Sequence, residues 1–142
     1  MQTALTRYLQ SVKTTPEPTF NGVMGMSLYS CDFASRQVVF QVDTDSWMQN
    51  PGRVVHGGIS AAMLDMTMGA LCRYFTGGSL APTVSMQVNY LRAMPVHETI
   101  LVRAELCKLG RSLCYTTGTA WVKGAEDAPL CTASGVYHAG QA

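Results

Sequence analysis

The hydrophobic and polar positions of the chain follow different periods in different segments, and these periods separate predicted helices from predicted strands. The first periodic segment has apolar residues at the i, i+3, i+4 and i+7 positions of one helical face: Leu5, Tyr8, Leu9 and Val12. It predicts a short helix over residues 3–12. Pro16 and Pro18 follow in the sequence, and they prevent the helix from continuing.

A second and longer helix is predicted over residues 59–75, where almost every position is apolar or small until Gly77 and Gly78 end it. A helix that is apolar all round is expected to be buried on most of its sides. Most of the remaining chain has the composition of strands. Residues 23–42 contain two β-rich runs around a polar turn at 32–35, and four more strands are predicted over 83–91, 99–107, 113–122 and 130–137.

The order of these elements is a helix, two strands, the long helix and then four strands. Strands and helices do not alternate as they do in a parallel sheet. The order therefore predicts an α+β fold in which a curved antiparallel sheet of five to six strands wraps one long helix.

The length and charge of the chain limit the number of domains and the classes of partner that fit the sequence. A chain of 142 residues fits one domain, residues 1–142, with residues 1–20 as an N-terminal helix and linker. Charged residues make up 13%, well below the usual quarter, which indicates extra burial at a subunit interface. The formal net charge of +1 argues against a nucleic acid or an anionic membrane as partner. The first residues lack a signal-peptide pattern and no apolar run has the length of a membrane span, so we expect a cytoplasmic protein.

Several classes of site have no counterpart in the sequence. The five cysteines form neither a CxxC pair nor a cluster with histidines at zinc-ligand spacing, which predicts free thiols and no metal site. The sequence contains no GxSxG elbow, P-loop, GxGxxG or HExxH motif. Common nucleophile, nucleotide and metalloprotease sites are therefore not expected.

Asp65 is the residue that departs most from the pattern of the long helix. It lies in the middle of that segment, between Leu64 and Met66. A carboxylate has poor helix propensity, and burying it without a partner is costly. It could pair with an arginine such as Arg73 or Arg92, or cap a neighbouring element, but a chemical role explains its position better.

The start of the same helix carries His56, Gly57 and Gly58. The first N–H groups of a helix have no partner and the helix dipole is positive there, so such an end attracts anions. The Gly57 amide could hold the oxyanion of a tetrahedral intermediate, although a plain glycine-rich helix start is the alternative. Gly57 and Asp65 are about 12 Å apart along one helix axis. Two antiparallel helices across a twofold axis would bring them together, which predicts a dimer.

These residues resemble a known family. The segment N-P-G-R-V-V-H-G-G-I-S-A-A-M-L-D, residues 50–65, is similar to the signature of PaaI-type hotdog thioesterases. The resemblance continues through T-V-S-M-Q-V-N-Y-L-R, the L-G-R turn and the closing run L-C-T-A-S-G-V-Y, and it covers residues 20 to 138. It implies the hotdog fold, dimers whose sheets join edge to edge, and tetramers built as dimers of dimers.

The resemblance also implies roles for individual residues. By position, Asp65 corresponds to the catalytic acid of the family, acting as general base or as nucleophile. Gly57 offers its amide to the thioester carbonyl from the opposing subunit, assisted by His56 and Asn50. Thr83 occupies the position at which similar enzymes use a small hydroxyl residue to orient the attacking water.

Thr83 raises a question of strand parity. Strict alternation places Val84, Met86 and Val88 on one face of the predicted strand and Thr83 on the other. A bulge after Pro82 would be needed for Thr83 to reach the site.

The predicted function is hydrolysis of acyl-CoA thioesters with small or medium acyl groups, aromatic ones included. Coenzyme A is part of the substrate and no cofactor is expected, while Arg92, Lys108 and Arg111 are candidates to hold its phosphates. A hotdog dehydratase or hydratase and a non-catalytic acyl-CoA-binding regulatory domain are the alternatives. The chain departs from the family pattern at Arg53, because the glycine usually found there appears at Gly52.

Overall fold

A single antiparallel sheet of six strands curves around one long helix in the computed structural model, which describes residues 1–140. This architecture confirms the predicted α+β fold. The strands lie in the order β1-β2-β4-β5-β6-β3. The helices are α1 (Gln2–Lys13), α2 (Phe20–Met24) and α3 (Gly57–Phe75), with a short 3-10 helix at Ser46–Met48. The strands are β1 (Ser27–Asp32), β2 (Gln37–Asp43), β3 (Thr83–Tyr90), β4 (Thr99–Leu109), β5 (Leu113–Val122) and β6 (Cys131–His138).

Helix α2 is the one element that the sequence pattern did not predict. It has five residues, too few to display a helical period. Local contacts define it: the Thr19 side chain accepts a hydrogen bond from the Gly22 N–H at its start, and Gly25 ends it with a φ of +63°. The run predicted as strand from residue 23 therefore begins as a helix, and extended structure starts at Ser27.

Helix α3 packs one side into the concave face of the sheet, mainly against β4 and β5. Met63, Leu64, Met68 and Leu71 on that side have no exposed surface. The opposite side contains Ala61, Ala62, Asp65 and Gly69 among others, and it remains partly exposed in a single copy of the chain. Only Gly58 of the 19 residues of this helix is exposed, which agrees with the prediction of a helix buried on most of its sides. On the opposite side, Tyr137 packs near Gly69 and contacts Asp65, and the small side chains there are half-buried.

Strand β3 forms one edge of the sheet and contains the predicted bulge. Its pairing with β6 shifts between Thr83 and Ser85, so that Thr83 lies opposite Tyr137 and Ser85 opposite Val136. Val84 is the extra residue. Because of it, Thr83 lies on the helix side of the sheet together with Met86.

Candidate active site

The Asp65 carboxylate is held by two hydroxyl groups that both donate to the same oxygen. Thr83 Oγ1 donates to Asp65 Oδ1 at 2.7 Å, and the Tyr137 hydroxyl donates to the same atom at 2.9 Å. The Tyr137 oxygen also lies 3.3 Å from the Asp65 main-chain carbonyl. Helix α3 supplies the acid and the two neighbouring strands β3 and β6 supply the donors. Within residues 1–140, Oδ2 has no hydrogen-bond partner, so one oxygen is fixed and the other is left available.

Tyr137 is the residue of this cluster that the sequence did not single out. Its side chain is almost fully buried, at 1% exposure. Burial and the adjacent Asp65 carboxylate raise the pKa of the Tyr137 hydroxyl, so it remains protonated and acts as a donor. The alternating pattern of β6 marks Tyr137 only as a core residue. Its partner lies 72 positions earlier in the chain, and no local signal connects the two.

No cation neutralises Asp65. In the described part of the chain the ion pairs join Arg103 to Glu126 and, at longer range, His97 to Asp45. The alternative in which Asp65 pairs with Arg73 or Arg92 is therefore not observed. Two hydroxyl donors, rather than a positive charge, compensate the burial of this carboxylate.

Asp65 opens into a cleft of about 270 Å³. Thr83 and Tyr137 line it beside the carboxylate. Helix α1 contributes Tyr8 to the wall, and the segment before β3 contributes Pro82. A small ligand can therefore reach Asp65 from outside the core.

The N-terminus of α3 forms a second cluster. The His56 ring caps the helix, because its Nδ1 accepts a hydrogen bond from the Gly58 N–H at 3.0 Å. Nδ1 therefore carries no proton in this arrangement, and the neutral ring has its N–H at Nε2. The Tyr90 hydroxyl donates to the Gly57 carbonyl at 2.8 Å, which fixes the first turn from the other side. Within residues 1–140 the Gly57 N–H has no acceptor and is free to bind a ligand oxygen.

The loop before this helix is organised by Asn50. Its Oδ1 accepts from the Gly52 N–H at 2.9 Å and, more weakly, from the Val54 N–H at 3.4 Å. The amide NH₂ of Asn50 is thus the part that remains available. Between these contacts Arg53 has a φ of +61°, in the left-handed region that favours glycine. The arginine therefore occupies a backbone conformation suited to the glycine that the family pattern leads one to expect there.

The two clusters lie in different clefts of one chain. Asn50 and Gly57 line a cleft of about 360 Å³, whereas Asp65 and Thr83 line the cleft described above. Eight residues of α3 separate Gly57 from Asp65, which corresponds to about 12 Å along the axis. One copy of the chain does not bring all five of the predicted catalytic residues together.

The basic residues predicted to hold phosphates are also dispersed. Arg92 lines the cleft of Asn50 and Gly57, and one of its N–H groups donates to the Pro129 carbonyl at 2.7 Å. Lys108 and Arg111 lie at the β4–β5 turn, beside the start of β5. Arg92 lies near the other end of β5, where its main chain hydrogen-bonds to Leu130 and Leu130 hydrogen-bonds to Ala120. A strand of ten residues spans roughly 30 Å, so Arg92 cannot share a phosphate with the other two in one copy.

Three further observations concern the described residues as a whole. All five cysteines are free thiols, as predicted. Residues 1–140 contain no group of three or more His, Cys, Asp or Glu side chains arranged to hold a metal ion. None of the helices in that range is both long enough and apolar enough to span a lipid bilayer.

The chain matches a known protein family and resembles several known proteins and solved structures. The family model of the thioesterase superfamily matches residues 52–128. Human acyl-coenzyme A thioesterase 13 is 28% identical over 120 residues, covering 81% of this chain and 83% of the relative. The crystal structure of zebra fish thioesterase superfamily member 2 superimposes with a TM-score of 0.85 at 23% identity, covering 99% of both chains. The E. coli PaaI protein of the phenylacetic acid degradation operon has a TM-score of 0.75 at 14% identity, covering 96% of this chain and 94% of that one.

Proposed function

Because the chain belongs to the thioesterase superfamily, a class of thioester hydrolases, we propose that it hydrolyses acyl-CoA thioesters and that Asp65 is its catalytic carboxylate. The family and the hotdog architecture confirm the PaaI-type resemblance noted in the sequence. The name of the human relative supports coenzyme A as the thiol. The observation that carries the assignment of Asp65 is the pair of hydroxyl donors on Oδ1 in an open cleft, where Asp65 makes no ion pair within residues 1–140.

The geometry at Asp65 supports catalysis through Oδ2. With Oδ1 occupied by Thr83 and Tyr137, Oδ2 takes a proton from water while the water oxygen forms a bond to the thioester carbon. The carbon–sulfur bond then breaks, and the proton passes to the departing CoA thiolate, which leaves a carboxylic acid and free thiol. In the alternative, Oδ2 attacks the carbon itself, the carbon–sulfur bond breaks and the CoA thiolate leaves. Water then hydrolyses the resulting anhydride, which regenerates the Asp65 carboxylate, releases the carboxylic acid and supplies the proton that the thiolate takes up. Both routes use only this chain's own side chains and water.

The N-terminus of α3 supports the other half of the reaction. Negative charge develops on the thioester oxygen as the tetrahedral intermediate forms, and the unpaired Gly57 N–H is a donor suited to stabilise it. The free NH₂ of Asn50 is an additional donor in the cleft that Gly57 lines, whereas His56 lines a different cleft with Trp47 and supports the site by capping the helix. The cap and the Asn50 turn hold both side chains in place before substrate arrives.

The separation of these two halves supports a homodimeric enzyme. About 12 Å along α3 divides Gly57 from Asp65, so the Gly57 of one protomer would serve the Asp65 of the other. The partly exposed side of α3 and the open edge of β3, where Val84 and Tyr90 are more than half exposed, are surfaces that such a partner would cover. A tetramer would add a second dimer to this unit.

The experiment is a thioester panel that monitors release of free CoA thiol, applied to wild type and to Asp65→Asn. The substitution removes the basic oxygen and retains the shape of the side chain, so turnover should fall by at least about a thousandfold, within the range typical of general base catalysis. Asp127→Asn is the matched control, since Asp127 is an exposed turn residue outside both clefts. Wild-type turnover in Asp65→Asn would remove Asp65 from the mechanism. Hydration of crotonyl-CoA without thiol release would favour a hydratase instead.

A further inference from the structure

A second cleft continues from the Asp65 cleft along the C-terminal half of α3. It has a volume of about 470 Å³ and lies between α1 and the end of α3. Tyr8, Ala70 and Arg73 line both clefts, so the two meet at these side chains. A substrate group that passes Asp65 therefore has space to extend toward α1.

The charged residues that line this second cleft are both arginines, Arg7 and Arg73. Arg73 is partly buried, and its guanidinium stands over the Tyr8 ring at 5.3 Å from the ring centre. Within residues 1–140 the Arg73 guanidinium makes no ion pair and donates no hydrogen bond. Its fork of N–H groups is therefore held in place by Tyr8 and is available to an anion.

The helix side of the wall between Asp65 and Arg73 is apolar and is lined by Met66, Gly69 and Ala70, while Asn21 contributes a polar side chain elsewhere in the cleft. Asp65 and Arg73 are eight residues apart on α3, about 12 Å along the axis, and a helical arginine side chain points back toward the helix N-terminus, which shortens that gap. A short alkyl or aryl spacer fits against the apolar helix side.

We propose that Arg73, with Arg7, binds a carboxylate at the far end of the acyl group, so that the preferred substrates are thioesters of dicarboxylic acids. This inference rests on the proposed thioesterase function and specifies its substrate class. A guanidinium recognises carboxylate and phosphate alike. Because the apolar helix side of the wall suits the methylenes of a diacid, we assign the anion to the acyl group.

The test compares substrates that differ only in their terminal group. Adipoyl-CoA is measured against hexanoyl-CoA, and glutaryl-CoA against valeryl-CoA, with wild type, Arg73→Met, Arg73→Lys and the control Lys13→Met. Lys13 is an exposed cation at the end of α1 that lines neither cleft. The dicarboxylic substrates should be preferred by wild type. Arg73→Met should lower kcat/KM for them by about ten- to a hundredfold, as expected for a lost charge-assisted bond, and change it less than about threefold for the neutral ones.

The remaining arms separate the possible failures. Arg73→Lys should recover part of the loss, because it restores the charge without the fork. N-acetylcysteamine thioesters of the same acids lack phosphates, and the Arg73→Met loss should persist with adipoyl-N-acetylcysteamine. A loss with both CoA thioesters that disappears with both N-acetylcysteamine thioesters would assign Arg73 to the CoA phosphates and overturn the proposal. An equal loss on every substrate, accompanied by a lowered melting temperature, would show a purely structural role and also overturn it. Hydrolysis of hexanoyl-CoA without any preference for adipoyl-CoA would refute this inference alone, whereas a wild type that hydrolyses neither of these nor any other thioester of the panel would refute the thioesterase function as well.

Discussion

The hydroxyl of Tyr137 offers a direct test of how Asp65 is positioned. Tyr137→Phe retains the buried ring and removes the donor that lies 2.9 Å from Oδ1. A hydrogen bond to a charged group contributes about 1.5–3 kcal/mol, and each 1.4 kcal/mol corresponds to a factor of ten. That free energy is an upper limit on what the bond can contribute to holding one carboxylate orientation. We therefore expect kcat to fall by about ten- to a hundredfold.

KM and the free energy of unfolding complete this test. The Tyr137 hydroxyl bonds to Asp65 and acts on the substrate only through it, so KM should stay within about twofold of wild type. Phenylalanine leaves no buried donor unpaired and Oδ1 keeps its bond from Thr83, so the free energy of unfolding should fall by no more than the same amount, about 1.5–3 kcal/mol. Steady-state kinetics and denaturant unfolding of wild type, Tyr137→Phe and the exposed control Tyr115→Phe provide the measurements. A kcat within twofold of wild type, under conditions where Asp65→Asn is inactive, would refute the positioning role of this hydroxyl.

Three further predictions concern the helix start, the strained loop and a buried thiol. Tyr90→Phe removes the hydrogen bond to the Gly57 carbonyl. It should lower kcat/KM in the thioester assay about three- to tenfold. An unchanged kcat/KM would mean that the His56 cap alone fixes the first turn of α3. Arg53→Gly relieves a left-handed φ of +61° and should raise the free energy of unfolding by up to about 1 kcal/mol in denaturant titrations, whereas a decrease would show that the arginine makes stabilising contacts. Burial raises the pKa of the Cys131 thiol from 9.0 to about 11. The unfolded chain therefore loses this proton at lower pH than the folded chain does. The free energy of unfolding should consequently fall as the pH rises from about 9 to 11. The pH dependence of the melting temperature should be shallower in Cys131→Ala, and an identical slope in both proteins would contradict this.

Much of the fold follows from local patterns in the sequence. The last four strands were predicted to within two residues of their ends, because apolar positions and turn residues mark both their faces and their limits. Parity left open which side of the sheet Thr83 faces, and the bulge at Val84 answers that question by placing it on the helix side. The burial of α3 was predicted from its apolar composition, although small residues such as Ala61 and Gly69 on its outer side are only half-buried.

The candidate site was only partly predictable. The importance of Asp65 follows from its apolar neighbours, but its partners depend on tertiary structure. Tyr137 joins it from a strand that begins 66 residues later in the chain, and the cleft beside Arg73 exists because α1 packs near the end of α3. Contacts of this kind involve no sequence period, so a single sequence does not reveal them.

The side of the sheet that Thr83 faces depends on the bulge formed by the extra residue in β3, and not on the identity of the side chain at position 83. Without Val84, Ser85 alone would separate Thr83 from Met86, and strict alternation would keep the threonine hydroxyl on the helix side with no bulge. With both residues present and the strand straightened, the hydroxyl would turn toward the convex surface, and Asp65 would lose one of its anchors without any substitution. When related sequences are compared, the number of residues in this strand is therefore as informative about the site as the motif residues themselves.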